Sequence, residues 1–171
     1  MSETRLAYPH LKQFVSGRVL DIGCGGSAVT PEAITFDMPT PYTAVGEDPI
    51  MLRGSVTDLS MFNDEVFDVV WTSHLLEDWT YKQLLPILKG IRRIIKTGGL
   101  LITVCPDEQV YSKHCRETGQ PYNLAHKNPD FSLATFKERV MKPTGPWEVM
   151  HETPLIDIYS WHLVTKKTPT L

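Results

Sequence analysis

Long apolar runs are absent from this chain of 171 residues, and neither sign of charge dominates it. No stretch approaches the roughly 18 consecutive apolar residues that a membrane-spanning helix needs, and the N-terminus lacks the apolar segment of a secretory signal peptide. The formal net charge is −3, and the longest basic block is Lys166-Lys167. A basic stripe for a nucleic-acid backbone is therefore missing. We expect no membrane segment, and nucleic acid is disfavoured as a partner.

Cysteine is scarce as well. The three cysteines, Cys24, Cys105 and Cys115, are odd in number and form no Cys-x-x-Cys pair. This usage disfavours a disulfide framework and indicates free thiols in a reducing compartment, so we expect a cytoplasmic protein. His114 lies beside Cys115 but has no third and fourth ligand at metal spacing, so we expect no metal site.

Internal repeats and low-complexity segments are also absent. The hydrophobic fraction of 42% and the charged fraction of 22% are those of an ordinary globular enzyme. A chain of this length buries roughly two thirds of its unfolded surface as one domain. We therefore predict a single domain over residues 1–171.

Strand-like and helical segments alternate along the chain. The strand patterns cover residues 19–22, 33–37, 66–72, 100–104, 147–158 and 159–166, with a short possible strand within 51–59. Helical spacing covers residues 6–15, 80–96 and 132–141. Residues 27–32 are too few for a full crossover helix, and residues 38–50 are predicted to be irregular. The order predicts a doubly wound α/β fold of Rossmann-like type, with a mostly parallel sheet and an antiparallel C-terminal edge.

A glycine-rich turn follows the first predicted strand. Gly23, Gly25 and Gly26 lie directly after residues 19–22, and glycine lets a ligand approach the main chain closely. Open α/β sheets hold the polar part of a nucleotide-like cofactor at such a turn. Because the segment from Gly23 to Ala28 also fits the G-x-G-x-x-A dinucleotide pattern, the glycines alone do not identify the cofactor.

The acidic residues discriminate between the cofactors. A carboxylate at Asp21 would repel a pyrophosphate but suits a ligand that carries an ammonium group. Acids recur at three successive predicted strand ends, at Asp21, Asp37 and Asp58. The short segment 27–32 also offers little helix N-terminus to a pyrophosphate. The pattern therefore favours S-adenosylmethionine over NAD.

From about Gly17 to Val104 the chain resembles the class I S-adenosylmethionine-dependent methyltransferases, in particular small bacterial methyltransferase domains. Val-Leu-Asp-Ile-Gly-Cys-Gly at residues 19–25 is similar to the first motif of that family. The resemblance implies that Gly23, Cys24 and Gly25 line the methionine part of the cofactor. It also implies that Asp21 meets the ammonium group directly or through water.

Further cofactor contacts follow from the same resemblance. Asp37 matches the acid that binds both ribose hydroxyls, with Met38 beside it, and such charge-assisted hydrogen bonds contribute roughly 1.5–3 kcal/mol each. Asp58 matches the acid that accepts the adenine amino group, while Leu59 covers the ring. A surface turn acid is the alternative for Asp37, and a turn or helix-capping residue is the alternative for Asp58.

Residues 67–78, Phe-Asp-Val-Val-Trp-Thr-Ser-His-Leu-Leu-Glu-Asp, are similar to the fourth motif of the family. There the strand end and the following loop lie beside the transferred methyl group, which implies cofactor contact for Ser73 and a catalytic role for His74. A histidine bonded only to backbone is the equal alternative. Many relatives have Leu-Glu-His where this chain has Leu-Glu-Asp, so an acid–base role at Asp78 is in doubt.

A polar segment at residues 120–127 follows the last predicted parallel strand, where class I enzymes commonly build the acceptor pocket. Tyr122, Asn123 and His126 are candidates for bonding a hydroxylated acceptor, with His126 as a second candidate for taking its proton. A solvated loop is the alternative for this segment.

The sequence therefore predicts an enzyme that transfers a methyl group to a small-molecule or sugar-related acceptor. The first alternative is a non-catalytic subunit or sensor that binds S-adenosylmethionine or S-adenosylhomocysteine. A short NAD-dependent oxidoreductase is disfavoured by Asp21 and by the lack of a Tyr-x-x-x-Lys pair. The Asn/Asp-Pro-Pro-Tyr tetrad of amino-methylating nucleic-acid enzymes is absent, since Cys105-Pro106-Asp107 stands at that strand end. Oligomeric state is not indicated by the sequence.

Overall fold

A computed structural model describes residues 2–41 and 46–170 of the chain. Seven strands form one sheet in the order β3-β2-β1-β4-β5-β7-β6. The strands are β1 (Val19–Ile22), β2 (Ile34–Asp37), β3 (Leu52–Arg53), β4 (Phe67–Ser73), β5 (Ile95–Pro106), β6 (Trp147–Thr153) and β7 (Ser160–Lys167). The helices are α1 (Glu3–Leu11), α2 (Tyr81–Ile94), α3 (Glu108–Thr118) and α4 (Leu133–Phe136).

Strand pairing confirms the predicted fold class. Strands β1 to β5 are mutually parallel, with Leu20 opposite Ile34 on one side and Val70 on the other. Strand β7 runs antiparallel to β5, and β6 runs antiparallel to β7. The carboxyl ends of β1, β2 and β4 therefore meet at one edge of the sheet, where open α/β folds place their ligands.

Two apolar cores cover the two faces of the sheet. On one face, α2 buries Leu84, Leu88 and Ile91 against the strands. On the other face, α1 packs Ala7 and Leu11 of its helix against the sheet in a smaller core. Residues 27–32 form no crossover helix on this face of the sheet, and α1 covers it instead.

Several predicted boundaries differ from the structure. Helix α1 begins at Glu3 instead of Leu6, because the Ser2 hydroxyl accepts the Arg5 amide and caps its first turn. Helix α2 begins at Tyr81, so Pro86 lies inside the helix and not in its first turn. Strand β3 has only two residues, which leaves Asp58 beyond its end.

The helix predicted over residues 80–96 is shorter than expected, and Gly98 and Gly99 lie beyond its end. The helix ends at Ile94, and the glycines lie within β5. A Cβ atom on Gly99 would lie 2.8 Å from the carbonyl oxygen of Asp68, so the glycine permits close strand contact at the bulge of β4.

Helix α3 was not predicted at all. Asp107 caps its start by accepting the amides of Gln109 and Val110, and Gly119 ends it in the left-handed conformation. Residues 137–141 continue α4 as a π-helical turn. Together, α4 and this turn cover most of the helix predicted at residues 132–141. Residues 42–45, inside the segment predicted to be irregular, lie outside the described residues.

No helix in the described parts of the chain is long and apolar enough to cross a membrane.

Candidate cofactor site

A cavity of about 240 Å³ lies at the carboxyl ends of β1, β2 and β4. The predicted site residues that line it are Gly23, Gly25, Asp37, Met38 and His74. The rest of the wall comes from Ile22, Pro41, residues 54–56 after β3, three residues of the turn after β4, and two of the polar segment; the last five are Leu75, Asp78, Trp79, Ala125 and Lys127. The structure thus brings the first and fourth predicted motifs together at one cavity. Contact of these residues with a cofactor stays a prediction.

The glycine turn is shaped by backbone conformations that other residues rarely adopt. Gly23 has a φ of 76°, and a Cβ atom there would lie 3.0 Å from a methyl group of Leu75 across the cavity. The amide of Gly23 donates to the carbonyl oxygen of Phe36 at 2.8 Å, which fixes the turn against β2. Gly26 has a φ of 74°, and a Cβ atom there would approach the Gly46 carbonyl oxygen to 2.5 Å. The turn is therefore specific for glycine.

Asp37 ends β2 with its carboxylate held from two sides. One oxygen accepts the Gly25 amide at 2.7 Å, and the other accepts the Met38 amide at 2.7 Å. A carboxylate has about four lone-pair positions, so acceptor capacity remains for a ligand. The two backbone amides orient the carboxylate at the cavity, as hydroxyl recognition requires.

Asp21 lies beneath the glycine turn and does not line the cavity. It is 1% exposed, and its Oδ2 accepts the Val29 amide at 2.8 Å. Its Oδ1 has no hydrogen-bond partner among the described residues. Burial raises the pKa of Asp21 to about 7, an effect that the Val29 amide opposes and the Asp37 carboxylate supports. Cys24 is also buried, and burial raises the pKa of its thiol to about 11.

The predicted adenine contacts do not lie on the cavity surface. Asp58 is exposed and accepts the amide of Ser60 at 3.0 Å. Leu59 is buried in the core beside α2. Since β3 ends at Arg53, the chain presents Gly54, Ser55 and Val56 to the cavity instead.

His74 begins the loop after β4 in the left-handed region, with a φ of 51°. Its amide donates to the carbonyl oxygen of Val104, and its ring Nε2 is 3.1 Å from the hydroxyl of Ser160. Its Nδ1 is 3.5 Å from Oε1 of Glu77. Burial lowers the pKa of His74 to about 3, so its imidazole is neutral near pH 7. Ser73 precedes it with a buried hydroxyl that no described residue bonds.

His126 does not face the cavity, contrary to the prediction for the acceptor segment. Its side chain is 4% exposed, and its Nδ1 is 2.7 Å from Oε2 of Glu108. The Tyr122 hydroxyl donates to the other oxygen of Glu108 at 2.5 Å. Although burial lowers the pKa of His126, the bond to Glu108 outweighs it, and the pKa is raised. A buried ring that is bonded to Glu108 and lies off the cavity wall is poorly placed to accept a proton from an acceptor.

Some of the other residues in the polar segment 120–127 line the cavity, and others do not. Ala125 and Lys127 line the cavity, and Lys127 is the one lysine or arginine on its described lining. The amide of Asn123 donates to the Tyr111 hydroxyl, away from the lining. Within the described residues, no group of three or more His, Cys, Asp or Glu side chains could hold a metal ion.

Sequence reasoning missed two buried acids in this region, Glu77 and Glu108. They are 1% and 2% exposed. Glu77 follows two leucines and precedes Asp78-Trp79, so an acid within an apolar run was the available signal. Glu108 carried no such signal, because helix α3 itself was not predicted.

Comparisons with known proteins agree with this arrangement. A family profile described as a methyltransferase domain matches residues 20–103. The uncharacterized methyltransferase sll0829 of Synechocystis sp. is 32% identical over 98 residues, covering 51% of this chain and 46% of that protein. The uncharacterized methyltransferase YbaJ of Bacillus subtilis is 40% identical over 52 residues, covering 30% of this chain and 20% of YbaJ. The chain therefore spans less than half the length of either curated relative.

Solved structures share the fold at low sequence identity. The PH0226 protein of Pyrococcus horikoshii superposes with a TM-score of 0.73 and 15% identity, covering 96% of this chain and 89% of that one. An S-adenosylmethionine-dependent methyltransferase of Archaeoglobus fulgidus gives a TM-score of 0.69 and 18% identity, covering 96% and 94%. Residues 20–103 match the methyltransferase-domain family, and the described chain has the fold of S-adenosylmethionine-dependent methyltransferases of known structure.

The residues around the cavity fit S-adenosylmethionine. The Oδ1 of buried Asp21 has no partner among the described residues, and an ammonium group would supply a donor to it directly or through water. Gly23 lacks a Cβ atom where one would crowd the Leu75 side chain at the cavity, and Asp37 keeps free acceptor positions there. A pyrophosphate would instead meet two carboxylates at this place.

Proposed function

We propose that the protein binds S-adenosylmethionine at this cavity and transfers its methyl group to a small-molecule acceptor. The observation that supports this most is the joining of Gly23, Gly25 and Asp37 with His74 around a single cavity. When bound, S-adenosylmethionine supplies an electrophilic methyl group on a sulfonium. The residues of the chain hold and align the reactants, which supplies much of the rate of an in-line transfer.

The cofactor half of the cavity binds by backbone shape and by carboxylates. Gly23 and Gly25 let the methionine part lie against the main chain, while Asp21 balances its ammonium charge from below. Asp37 accepts hydrogen bonds from the ribose hydroxyls through the lone pairs that the amides leave free. Met38 and Val56 border the position expected for the adenine.

The acceptor half belongs to a cavity of only about 240 Å³ and is partly apolar, which favours a small molecule. Leu75, Trp79 and Ala125 supply apolar wall, and Lys127 and Asp78 supply charged groups at the same cavity. His74 is the candidate proton acceptor, because it lines the cavity with a neutral ring. To act, its Nε2 must exchange the Ser160 hydroxyl for the acceptor.

The alternative of a non-catalytic binder has no observation of its own in its favour. We expect purified protein, incubated with methyl-labelled S-adenosylmethionine and panels of small hydroxyl, carboxyl, thiol and amine acceptors, to form S-adenosylhomocysteine with at least one class. The same panels with Asp37→Ala protein, at equal concentration, should give at least tenfold less product. Tight cofactor binding without product from any class would support the binder.

A further inference from the structure

Titratable side chains, most of them buried, lie next to residues of the acceptor wall of the cavity. We call them the Glu77 cluster; its members are Glu77, Cys105, Glu108, Tyr122 and His126. None of the five lines the cavity, but Asp78, which follows Glu77, and Leu75, two residues before it, do. The wall residue His74 links the cluster to the cavity, since its Nδ1 lies 3.5 Å from Oε1 of Glu77.

The pairing inside the cluster leaves one carboxyl group, that of Glu77, without a close counter-charge. His126 and Glu108 form a close pair at 2.7 Å, in which an imidazolium and a carboxylate cancel each other's charge. Glu77 Oε1 is 3.9 Å from His126 Nε2 and 3.5 Å from His74 Nδ1, both beyond a good hydrogen bond. Its Oε2 has no hydrogen-bond partner among the described residues. A second full negative charge here would be costly.

The groups that face Glu77 come from every element around it. His74 faces it from the end of β4 and Cys105 from β5, while His126 faces it from the loop that follows α3. Asp78 follows it on the same turn. Burial raises the pKa of Glu77 to about 8, an effect that the His126 charge opposes and the Asp78 charge supports. Glu77 therefore holds its proton near pH 7 in the ligand-free protein.

We propose that Glu77 is a specificity-determining residue that favours the sulfonium cation of S-adenosylmethionine over neutral S-adenosylhomocysteine, by losing its proton to solvent when the cation binds. This inference rests on the proposed function. With Glu77 protonated, the cluster is neutral; with Glu77 ionised, it carries one negative charge beside one bound positive charge. After methyl transfer the bound S-adenosylhomocysteine is neutral at its sulfur. Glu77 then regains a proton and no longer stabilises the ligand.

The expected size of the effect follows from Coulomb's law. At an effective dielectric of about 20, a unit positive charge about 8 Å away lowers the pKa of a carboxyl group by about 1.5 units. Starting from a pKa of about 8, Glu77 then releases about 0.7 of a proton at pH 7. Neutral S-adenosylhomocysteine exerts no such attraction from its sulfur.

Calorimetric titration in buffers of different ionisation enthalpy measures this proton release. Both ligands carry the same amino-acid part, so any proton lost by Asp21 is common to both and cancels in the difference. We expect S-adenosylmethionine to release about 0.7 of a proton more than S-adenosylhomocysteine at pH 7. Sinefungin, which carries an ammonium group in place of the methylated sulfur, should behave like S-adenosylmethionine.

Variants identify the residue responsible. Glu77→Gln should remove the difference in proton release and weaken S-adenosylmethionine about tenfold or more at pH 8.5, while S-adenosylhomocysteine binding changes less than threefold. Glu117→Gln, which changes an exposed acid on α3, should keep the native difference. Equal proton release by the two ligands in the native protein, or a difference that persists in Glu77→Gln, would overturn the inference.

A measurement on the native protein covers the case in which Glu77→Gln fails to fold. The ratio of the two affinities should favour S-adenosylmethionine about twentyfold more at pH 9 than at pH 6, because the ionised form of Glu77 binds the cation better. A ratio that does not change with pH would contradict the inference. Absence of binding by either ligand would instead refute the proposed function, so the two failures are distinguishable.

Discussion

The two halves of the cavity are built by different means. The cofactor half comes mainly from one continuous stretch, residues 19–38, in which a backbone turn and a strand-end carboxylate satisfy each other through the bond between Gly25 and Asp37. The acceptor half, taken together with the Glu77 cluster behind it, joins the turn after β4, the start of α3 and the loop at residues 122–128. The polar atoms of the cluster are side-chain atoms, mostly buried and partly unpaired, as at Glu77.

We expect the cofactor half to recognise the parts that S-adenosylmethionine and S-adenosylhomocysteine share, and the Glu77 cluster to distinguish between them. The glycine turn and Asp37 bind what the two cofactor forms have in common. A buried charge cluster responds to the charge of its surroundings, because a low local dielectric strengthens every interaction. We expect substitutions in the first half to change affinity with little effect on the fold, and substitutions in the second half to change stability and charge response.

The largest expected effect is on the acceptor half. Glu108→Ala should lower the free energy of unfolding by about 3–5 kcal/mol, because it leaves the His126 charge buried without its partner. The Tyr122 hydroxyl loses its acceptor as well. Urea denaturation followed by circular dichroism measures the change, with Glu117→Ala on the exposed side of α3 as the control within about 0.5 kcal/mol. A Glu108→Ala protein as stable as the control would contradict the assigned charge pair.

A second effect concerns the opposite face of the sheet under acid conditions. His162 on β7 is fully buried, neither ring nitrogen has a partner among the described residues, and burial lowers its pKa to about 4. A histidine with a lowered pKa contributes stability above its unfolded value of about 6.5, and this stability is lost as the pH falls toward 4.

Between pH 6.5 and pH 4, we therefore expect the free energy of unfolding of His162→Phe to fall by about 1–3 kcal/mol less than that of the native protein. Unfolding curves at several pH values measure it. His74, whose pKa is lowered to about 3, stays in both proteins and contributes the same acid sensitivity to each. Parallel pH profiles for the two proteins would show that His162 does not titrate in this range.

The cofactor half gives a smaller energetic effect. Asp37→Ala should weaken S-adenosylhomocysteine binding about tenfold or more, about 1.4 kcal/mol, because two ribose hydroxyls lose their acceptors. The fold should persist, since the side chain bonds only two turn amides. Titration calorimetry measures the affinity, and an unchanged value would place the ribose elsewhere.

The smallest effect is expected at the third predicted acid. Asp58 is exposed and bonded to Ser60, outside the cavity lining, so Asp58→Ala should change affinity by less than about threefold. The same titration compares it directly with Asp37→Ala. A loss equal to that of Asp37→Ala would restore the adenine contact that the sequence predicts.

The same contrast explains how much the sequence could predict. The fold class and the cofactor motif were predictable because β1, the glycine turn and Asp37 are close in sequence and follow from strand pattern and glycine chemistry. The acceptor half was not, because its contacts join residues far apart, such as His74 with Ser160 and His126 with Glu77. Helix α3 is too polar to show helical periodicity, and neither the burial of Glu77 nor the inward turn of His126 can be read from residue type.

The central claim is that the cavity is a site for S-adenosylmethionine and its product. Calorimetric titration of the purified protein with S-adenosylhomocysteine, and separately with NAD, tests it most directly. The account predicts saturable heat and micromolar affinity with S-adenosylhomocysteine, about 8 kcal/mol of binding free energy, and none with NAD. Clear heat with NAD and none with S-adenosylhomocysteine would contradict it.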